Sequence, residues 1–292
     1  MKNSFEEKLE QIKQQASESI PATVSNSQDI FSFVNPIEII DLPSKGRFYD
    51  ENHPLRNCDT LEIRQMTAKE EDILTNRSLI RKGLVIDKLI ESLLIDKSIP
   101  VQTLLVGDKN AIMVAARIAA YGADYDVMLN CNNCGSKNVV GIDLTKVKVR
   151  QTEDILKHAA NNDVLNYQQL ENGNIILQLP KTKWIVECRL MNGNDERSIL
   201  RILEDKRKFD NNADLSVSEQ LKIIISSING ITEAETLHRA VDVMPAYDAK
   251  CLRNNYQKLI PNVTIEKKYI CSSCTEEQEL EVPFTQEFFW PK

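Results

Sequence analysis

Two Cys-x-x-Cys pairs are the feature that most constrains the fold of this 292-residue chain. Cys131 and Cys134 form the first pair, and Cys271 and Cys274 form the second. Apolar residues recur at the sixth, eighth and tenth positions after the second cysteine of each pair. They are Val140 and Leu280, Ile142 and Val282, and Leu144 and Phe284. Because a period of two is typical of β-strands, each pair is predicted to lie on a turn between two strands.

Paired thiolates on two such turns are the ligand set of a zinc ribbon. Four cysteines bind zinc tetrahedrally, and soft thiolates suit zinc or an iron–sulfur cluster better than Mg²⁺. All three histidines lie outside the two units. We therefore predict one structural zinc ion bound by Cys131, Cys134, Cys271 and Cys274. Pairs without a metal and redox-active pairs are the alternatives, although neither pair opens a helix as a thioredoxin-type site requires.

The two pairs are separated by 136 residues, between Cys134 and Cys271. Loop closure costs only slowly more with length, a few kcal/mol here, whereas structural zinc binding contributes on the order of 10 kcal/mol in model peptides. A long insertion within the ribbon is therefore energetically acceptable. The remaining cysteines, Cys58, Cys188 and Cys251, are predicted to be ordinary buried residues.

Composition narrows the class of protein. The net charge of -7 argues against general binding to the phosphate backbone of nucleic acids. The apolar runs fall short of the roughly 18 residues that span a bilayer, and the N-terminus turns acidic where a signal peptide would continue into apolar residues. We expect no membrane span and no cleaved signal.

The sequence predicts an α+β fold in four parts. Residues 1–35 form a flexible arm, residues 36–124 a helical block, residues 125–145 plus 264–292 a split zinc ribbon, and residues 146–263 a β-hairpin with a helical insertion.

In the helical block, a strand is predicted around Leu61, and Thr67 and Glu70 form a capping box for a helix from Ala68 to about Ile80. A second helix follows Gly83, and a third is predicted to be capped by Asp108 and to end at Gly122.

In the insertion, alternating apolar residues around Leu177 and Val186 predict a β-hairpin. Four helices should follow, the first around Ile202 and the others opening at Ser216, Thr232 and Pro245, where Thr232 has Glu235 as its box partner.

Signatures of phosphate, dinucleotide, protease and hydrolase sites are missing from the sequence. A zinc ion bound by four cysteines also has no open position for a substrate. We predict a protein without enzymatic activity and without catalytic residues.

The C-terminus is aromatic in a chain that is otherwise poor in aromatic residues. Phe288, Phe289 and Trp290 either pack on the chain's own ribbon or dock into a neighbouring subunit, so they are candidate partner-binding residues.

Four sequence blocks occur in a characteristic order. They are residues 42–46 (Leu-Pro-Ser-Lys-Gly) with Tyr49, residues 66–74, residues 106–112 with Arg117 and Tyr121-Gly122, and Cys131-x-x-Cys134-Gly135. Together they resemble the baseplate hub protein family of T4-type contractile-tailed bacteriophages over about residues 35–150. The resemblance implies a non-enzymatic component of the tail baseplate, or a factor needed to build its hub. It further implies other baseplate proteins as partners, assembly in the host cytoplasm and a place in the virion.

Two other functions stay open at this point. A hub assembly chaperone would leave before the virion matures, and the sequence does not separate it from a baseplate component. A zinc-ribbon nucleic-acid-binding module would use the same four cysteines but would need a basic face.

Overall fold

The computed structural model describes residues 36–151, 167–209 and 216–289. The arm predicted for residues 1–35 and the side chain of Trp290 lie outside these ranges. Residues from Ile37 onwards belong to one compact unit. Within the described ranges, none of the helices has the length and apolar character needed to cross a membrane.

The described part of the chain contains both helices and strands. The helices are α1 (Ala68–Thr75), α2 (Arg77–Arg81), α3 (Val85–Leu93), α4 (Val106–Tyr121), α5 (Gly193–Phe209), α6 (Ser216–Ile224), α7 (Ala234–Asp242) and α8 (Ala246–Leu259). The strands are β1 (Ile37–Asp41), β2 (Thr60–Arg64), β3 (Asp124–Asn130), β4 (Lys137–Asp143), β5 (Lys148–Arg150), β6 (Tyr167–Gln169), β7 (Ile175–Gln178), β8 (Ile185–Cys188), β9 (Ile225–Ile228), β10 (Asn262–Thr264), β11 (Glu266–Ile270) and β12 (Glu277–Glu281).

All strand pairings are antiparallel. Among the described residues, four sheets have two strands each, namely β1–β2, β3–β4, β5–β10 and β11–β12, and one sheet has four strands in the order β6-β7-β8-β9. Small antiparallel sheets combined with helices confirm the predicted α+β class.

The first hydrophobic core joins the N-terminal helices to the base of the ribbon. On α3, Leu89, Ile90 and Leu93 are buried, since residues three and four apart lie on one face of a helix. Tyr125 of β3 and Ile265, just before β11, belong to the same core. Both halves of the ribbon are therefore anchored on the helical block.

The second hydrophobic core lies within the insertion. Alternate residues of β7 and β8, such as Ile175, Leu177 and Val186, face α6, α7 and α8 and are buried. The predicted hairpin is thus present, and β6 and β9 extend it to four strands.

A short sheet closes the insertion at its base. Strand β5 leaves the first half of the ribbon, β10 returns to the second half, and Val149 pairs with Val263. Gly107 of α4 lies so close to this base that a Cβ atom there would be 2.1 Å from the carbonyl oxygen of Pro261. This pairing brings the two ribbon halves together despite the long stretch of sequence between them.

Partly buried ion pairs also join the insertion to the helical block. The Lys109 ammonium lies 2.9 Å from Asp87 and 2.5 Å from Glu196 of α5, and the Arg197 guanidinium lies 2.7 Å from Asp87. Two positive and two negative side chains therefore share one network, in which no buried charge lacks a partner.

The predicted helix from Ala68 to Ile80 is interrupted. Its capping box is present, because the Glu70 carboxylate accepts the backbone N–H of Thr67 at 3.0 Å. The helix ends at Thr75, however, because the Asn76 side chain accepts the N–H groups of Ser78 and Leu79 and starts α2.

Asp108 is not the cap of the third helix, contrary to the prediction. Helix α4 begins two residues earlier, at Val106, and the Asp108 carboxylate points into the core. It accepts the Ser44 N–H at 3.0 Å, the Ser44 hydroxyl at 2.6 Å and the Tyr49 hydroxyl at 2.7 Å. Burial raises the pKa of Asp108, and these hydrogen bonds oppose that shift.

The capping box predicted at Thr232 is also wrong. Helix α7 begins at Ala234 with Glu233 in the cap position. The chain is still in a turn at the predicted start, since Ile231 exchanges backbone hydrogen bonds with Ile228. The helix predicted from Pro245 is present, with Pro245 as the residue before α8.

Candidate metal centre

The first cysteine pair lies on the turn between β3 and β4. The Cys131 N–H donates to the carbonyl of Ser136 at 2.8 Å, and the Gly135 N–H donates to the carbonyl of Cys131 at 2.8 Å. Gly135 has a φ of 73°, which a glycine adopts without steric cost. This tight turn, the first knuckle, points the thiols of Cys131 and Cys134 to the same side.

The second cysteine pair repeats this backbone arrangement between β11 and β12. The Cys271 N–H donates to the carbonyl of Glu276 at 2.9 Å, and the Thr275 N–H donates to the carbonyl of Cys271 at 3.0 Å. Thr275, the counterpart of Gly135, has a φ of 58°. The predicted repeat of strand, Cys-x-x-Cys turn and strand is therefore confirmed in both units, and this turn is the second knuckle.

The four sulfur atoms of the two knuckles lie together. All are within 4.8 Å of one another, and the sulfurs of Cys131 and Cys274, like those of Cys134 and Cys271, are 3.7 Å apart. Tetrahedral coordination with metal–sulfur bonds of about 2.3 Å places neighbouring sulfurs about 3.8 Å apart. The four thiols fit the ligand shell of a single ion.

The spacing fits a cluster less well than a single ion. An iron–sulfur cluster distributes its cysteine ligands over two or more iron atoms, so ligands on different irons lie further apart than ligands of one ion. Here each sulfur of the first knuckle is in contact with a sulfur of the second.

The electrostatics of the site favour a bound cation. A hydrogen bond from the Ser136 hydroxyl, together with backbone N–H groups, lowers the pKa of Cys271 to about 5. The backbone N–H of Glu276 favours the Cys274 thiolate, but burial and the neighbouring Cys134 and Cys271 thiols raise the pKa of Cys274 to about 11. The Cys271 thiolate is thus a charged ligand for a cation, and a bound cation would displace the proton that Cys274 retains.

Ser136 contributes to the site although the sequence did not single it out. Its hydroxyl lies 3.1 Å from the sulfur of Cys134 and 3.2 Å from that of Cys271, so it contacts both knuckles. Its position two residues after Cys134 was the only signal available, and serine is common in turns of any kind.

The other cysteines lie apart from the centre. Cys188 is buried in the second core, as predicted, and burial raises the pKa of its thiol. Cys58 and Cys251 are only partly buried, contrary to the prediction. Cys58 lies at the edge of the first core, and Cys251 belongs to neither core.

Phe288 and Phe289 lie inside the first core. Their side chains are 1% and 0% exposed, and the Phe288 ring packs against Tyr125 of β3 and against Phe284. This placement corresponds to the alternative in which the aromatic residues pack on the chain's own ribbon.

Sequence blocks that carry the family resemblance meet in the structure. Ser44 and Tyr49 of the first block bind Asp108 of the third, and Tyr121, also of the third block, donates to Glu71 of the second at 2.8 Å. Three of the four blocks are thus joined by hydrogen bonds.

Comparison with known proteins identifies the family. Neither the curated protein sequences nor the solved structures gave a match. A family model described as "T4 bacteriophage base plate protein" matches residues 34–290, which include the insertion as well as the blocks between residues 35 and 150. This chain belongs to the T4 bacteriophage base plate protein family.

Proposed function

We propose that this protein is a structural or assembly component of the baseplate of a contractile phage tail, in the hub region. The observation that carries this proposal is the family match over residues 34–290. The proposed role is non-catalytic: the chain binds other baseplate or hub proteins, is made in the host cytoplasm and ends up in the virion tail.

We further propose that Cys131, Cys134, Cys271 and Cys274 bind one structural zinc ion. Support comes from the sulfur spacing and from a ligand set in which protein thiolates fill every tetrahedral position. Such a closed site would fix the ribbon and leave no position for a substrate. The ion would hold both ends of the insertion in place against the helical block.

The surface of the insertion supports binding to protein partners. Val243 and Tyr247, near the corner between α7 and α8, are 73% and 61% exposed. Exposed apolar side chains such as these could contribute to a contact with a protein partner. The second ribbon hairpin carries Glu277, Glu279 and Glu281 on exposed positions, which disfavours nucleic acid as the partner.

Quantitative mass spectrometry of purified virions tests the proposed function. We expect a fixed copy number of this chain per tail, because a baseplate component is retained at defined symmetry positions. The control is the same measurement on infected-cell lysate. A chain that is abundant in lysate and absent from virions would identify an assembly chaperone, and a chain absent from virions and from tail assembly intermediates would contradict a baseplate role.

A further inference from the structure

Two carboxamide side chains occupy equivalent positions in the two halves of the ribbon. Asn138 is the fourth residue after Cys134, and Gln278 is the fourth residue after Cys274. Asn138 lies on β4 and Gln278 on β12, the strands that follow the first and the second knuckle. Each of these side chains reaches across to the opposite knuckle.

Asn138 binds the second knuckle. Its Oδ1 atom accepts the backbone N–H of Ser272 at 2.9 Å and the Ser272 hydroxyl at 3.0 Å. Its Nδ2 atom lies 3.6 Å from the sulfur of Cys271. The Asn138 side chain is buried, so these contacts replace its hydrogen bonds to water.

Gln278 makes the corresponding contacts with the first knuckle. Its Oε1 atom accepts the backbone N–H of Asn132 at 3.2 Å and the Tyr269 hydroxyl at 2.9 Å. Its Nε2 atom lies 3.1 Å from the sulfur of Cys131. Ser272 and Asn132 are equivalent as well, because each directly follows the first cysteine of its pair.

The orientation of both carboxamides follows from the backbone. A backbone N–H is only a donor, so the carboxamide atom that faces it must be the oxygen. The NH₂ group of Gln278 is then directed at the sulfur of Cys131, and that of Asn138 donates to the carbonyl of Ser136 at 3.1 Å and is also directed at the sulfur of Cys271. A hydrogen bond of this kind is stronger to a thiolate than to a thiol, because the acceptor is charged.

We propose that Asn138 and Gln278 are positioning residues of the metal centre that hold the two knuckles together before an ion binds. The oxygen of each carboxamide accepts hydrogen bonds that fix the opposite turn. The nitrogen orients a buried sulfur, that of Cys271 for Asn138 and that of Cys131 for Gln278. The contacts join residues 133 to 147 positions apart in sequence and need no ion. The proposal rests on the proposed metal site for the effect on affinity, but the pairing of the knuckles is independent of metal.

The buried and exposed sulfurs then have different roles. Cys131 and Cys271, which receive the carboxamide contacts, are buried, whereas Cys134 is exposed and Cys274 is partly exposed. The ion would enter on the side of Cys134 and Cys274, towards ligands that are already held in position.

Zinc affinity measured by competition with a chromogenic chelator tests the role of these residues. For Asn138→Ala and for Gln278→Ala, we expect zinc affinity to fall about 10- to 100-fold, the range for residues that orient metal ligands. Asn130→Ala is the matched control, since it removes an exposed carboxamide from β3, next to the first knuckle, that takes no part in the pairing described above. An affinity of both test variants within about twofold of the control would overturn the proposal.

Hydrogen exchange in the zinc-free chain provides a second readout that a general loss of stability would not reproduce. Asn138→Ala should accelerate exchange of the Ser272 amide and leave that of Asn132 unchanged, and Gln278→Ala should do the reverse.

Asn138→Asp and Gln278→Glu keep the acceptor oxygen, so they should preserve amide protection and still weaken zinc binding. Equal acceleration at both amides would contradict the reciprocal pairing. If the wild-type chain bound no zinc while the two alanine variants showed this crossed exchange pattern, only the metal site would be contradicted.

Discussion

Replacing Cys131 with serine is expected to abolish tight zinc binding and to cause a large loss of stability. Cys131 is buried and its sulfur lies 3.7 Å from that of Cys274, so its loss removes one of four ligands from an enclosed position. With free zinc at 1,000 times the Kd of the wild-type chain, the bound ion contributes about 4 kcal/mol to the free energy of unfolding. Urea unfolding of both proteins in buffered zinc measures this loss.

Chelation and a second cysteine provide the controls for this prediction. EDTA should lower the stability of the wild-type chain towards that of Cys131→Ser and have little effect on the variant. Cys251→Ser removes a partly buried thiol of α8 and should leave the zinc-dependent part of the stability intact. Equal zinc dependence of Cys131→Ser and the wild-type chain would show that Cys131 is not a ligand.

The second large effect is expected for Gly46→Ala. Gly46 has a φ of 64°, and a Cβ atom there would lie 2.2 Å from the carbonyl oxygen of Leu55 and 2.4 Å from the nitrogen of Cys58. Both contacts are with backbone, so no side chain can move aside. A left-handed conformation costs alanine about 1–2 kcal/mol and overpacking typically costs a further 1–3 kcal/mol. We expect the free energy of unfolding in urea to fall by about 2–5 kcal/mol in total.

Gly230→Ala separates the two causes of this loss. Gly230 has a φ of 82°, and no atom lies within 4 Å of a Cβ built on it. The free energy of unfolding of Gly230→Ala should therefore fall only by the cost of the left-handed conformation, about 1–2 kcal/mol. If Gly46→Ala were no less stable than Gly230→Ala, the close contact of Gly46 with the backbone of Leu55 and Cys58 would be contradicted.

The ribbon could be predicted from the sequence because its signals are local. The Cys-x-x-Cys spacing and the alternation of apolar residues identified β3, β4, β11 and β12. The same alternation found β7 and β8, and helical spacing with caps located most of the helices. The domain boundaries derived from these patterns stay predictions.

The base of the insertion could not be predicted because its strands are too short to show a period. Strands β5 and β10 have three residues each, and their pairing depends on contacts between segments more than 100 residues apart. The role of Asp108 could not be predicted for a related reason. A polar residue before an apolar run resembles a helix cap, and only the fold shows that Ser44 and Tyr49 bind it.

The carboxamide pair could have been found only by superposing the two halves of the repeat. Asn138 and Gln278 differ in residue type, and a single Asn or Gln in a polar strand carries no signal by itself. Their equivalence becomes apparent when the distances to Cys271 and Cys131 are known.

Native mass spectrometry of the intact chain, prepared in the presence of zinc, tests the central claim most directly. We expect a single species with one zinc ion per chain. Its mass should also show the loss of protons, because the ligands bind as thiolates. The same measurement on Cys131→Ser should return the mass of the metal-free chain. A wild-type chain with no zinc, with two ions, or with the mass of an iron–sulfur cluster would contradict a single ion shared by the two knuckles.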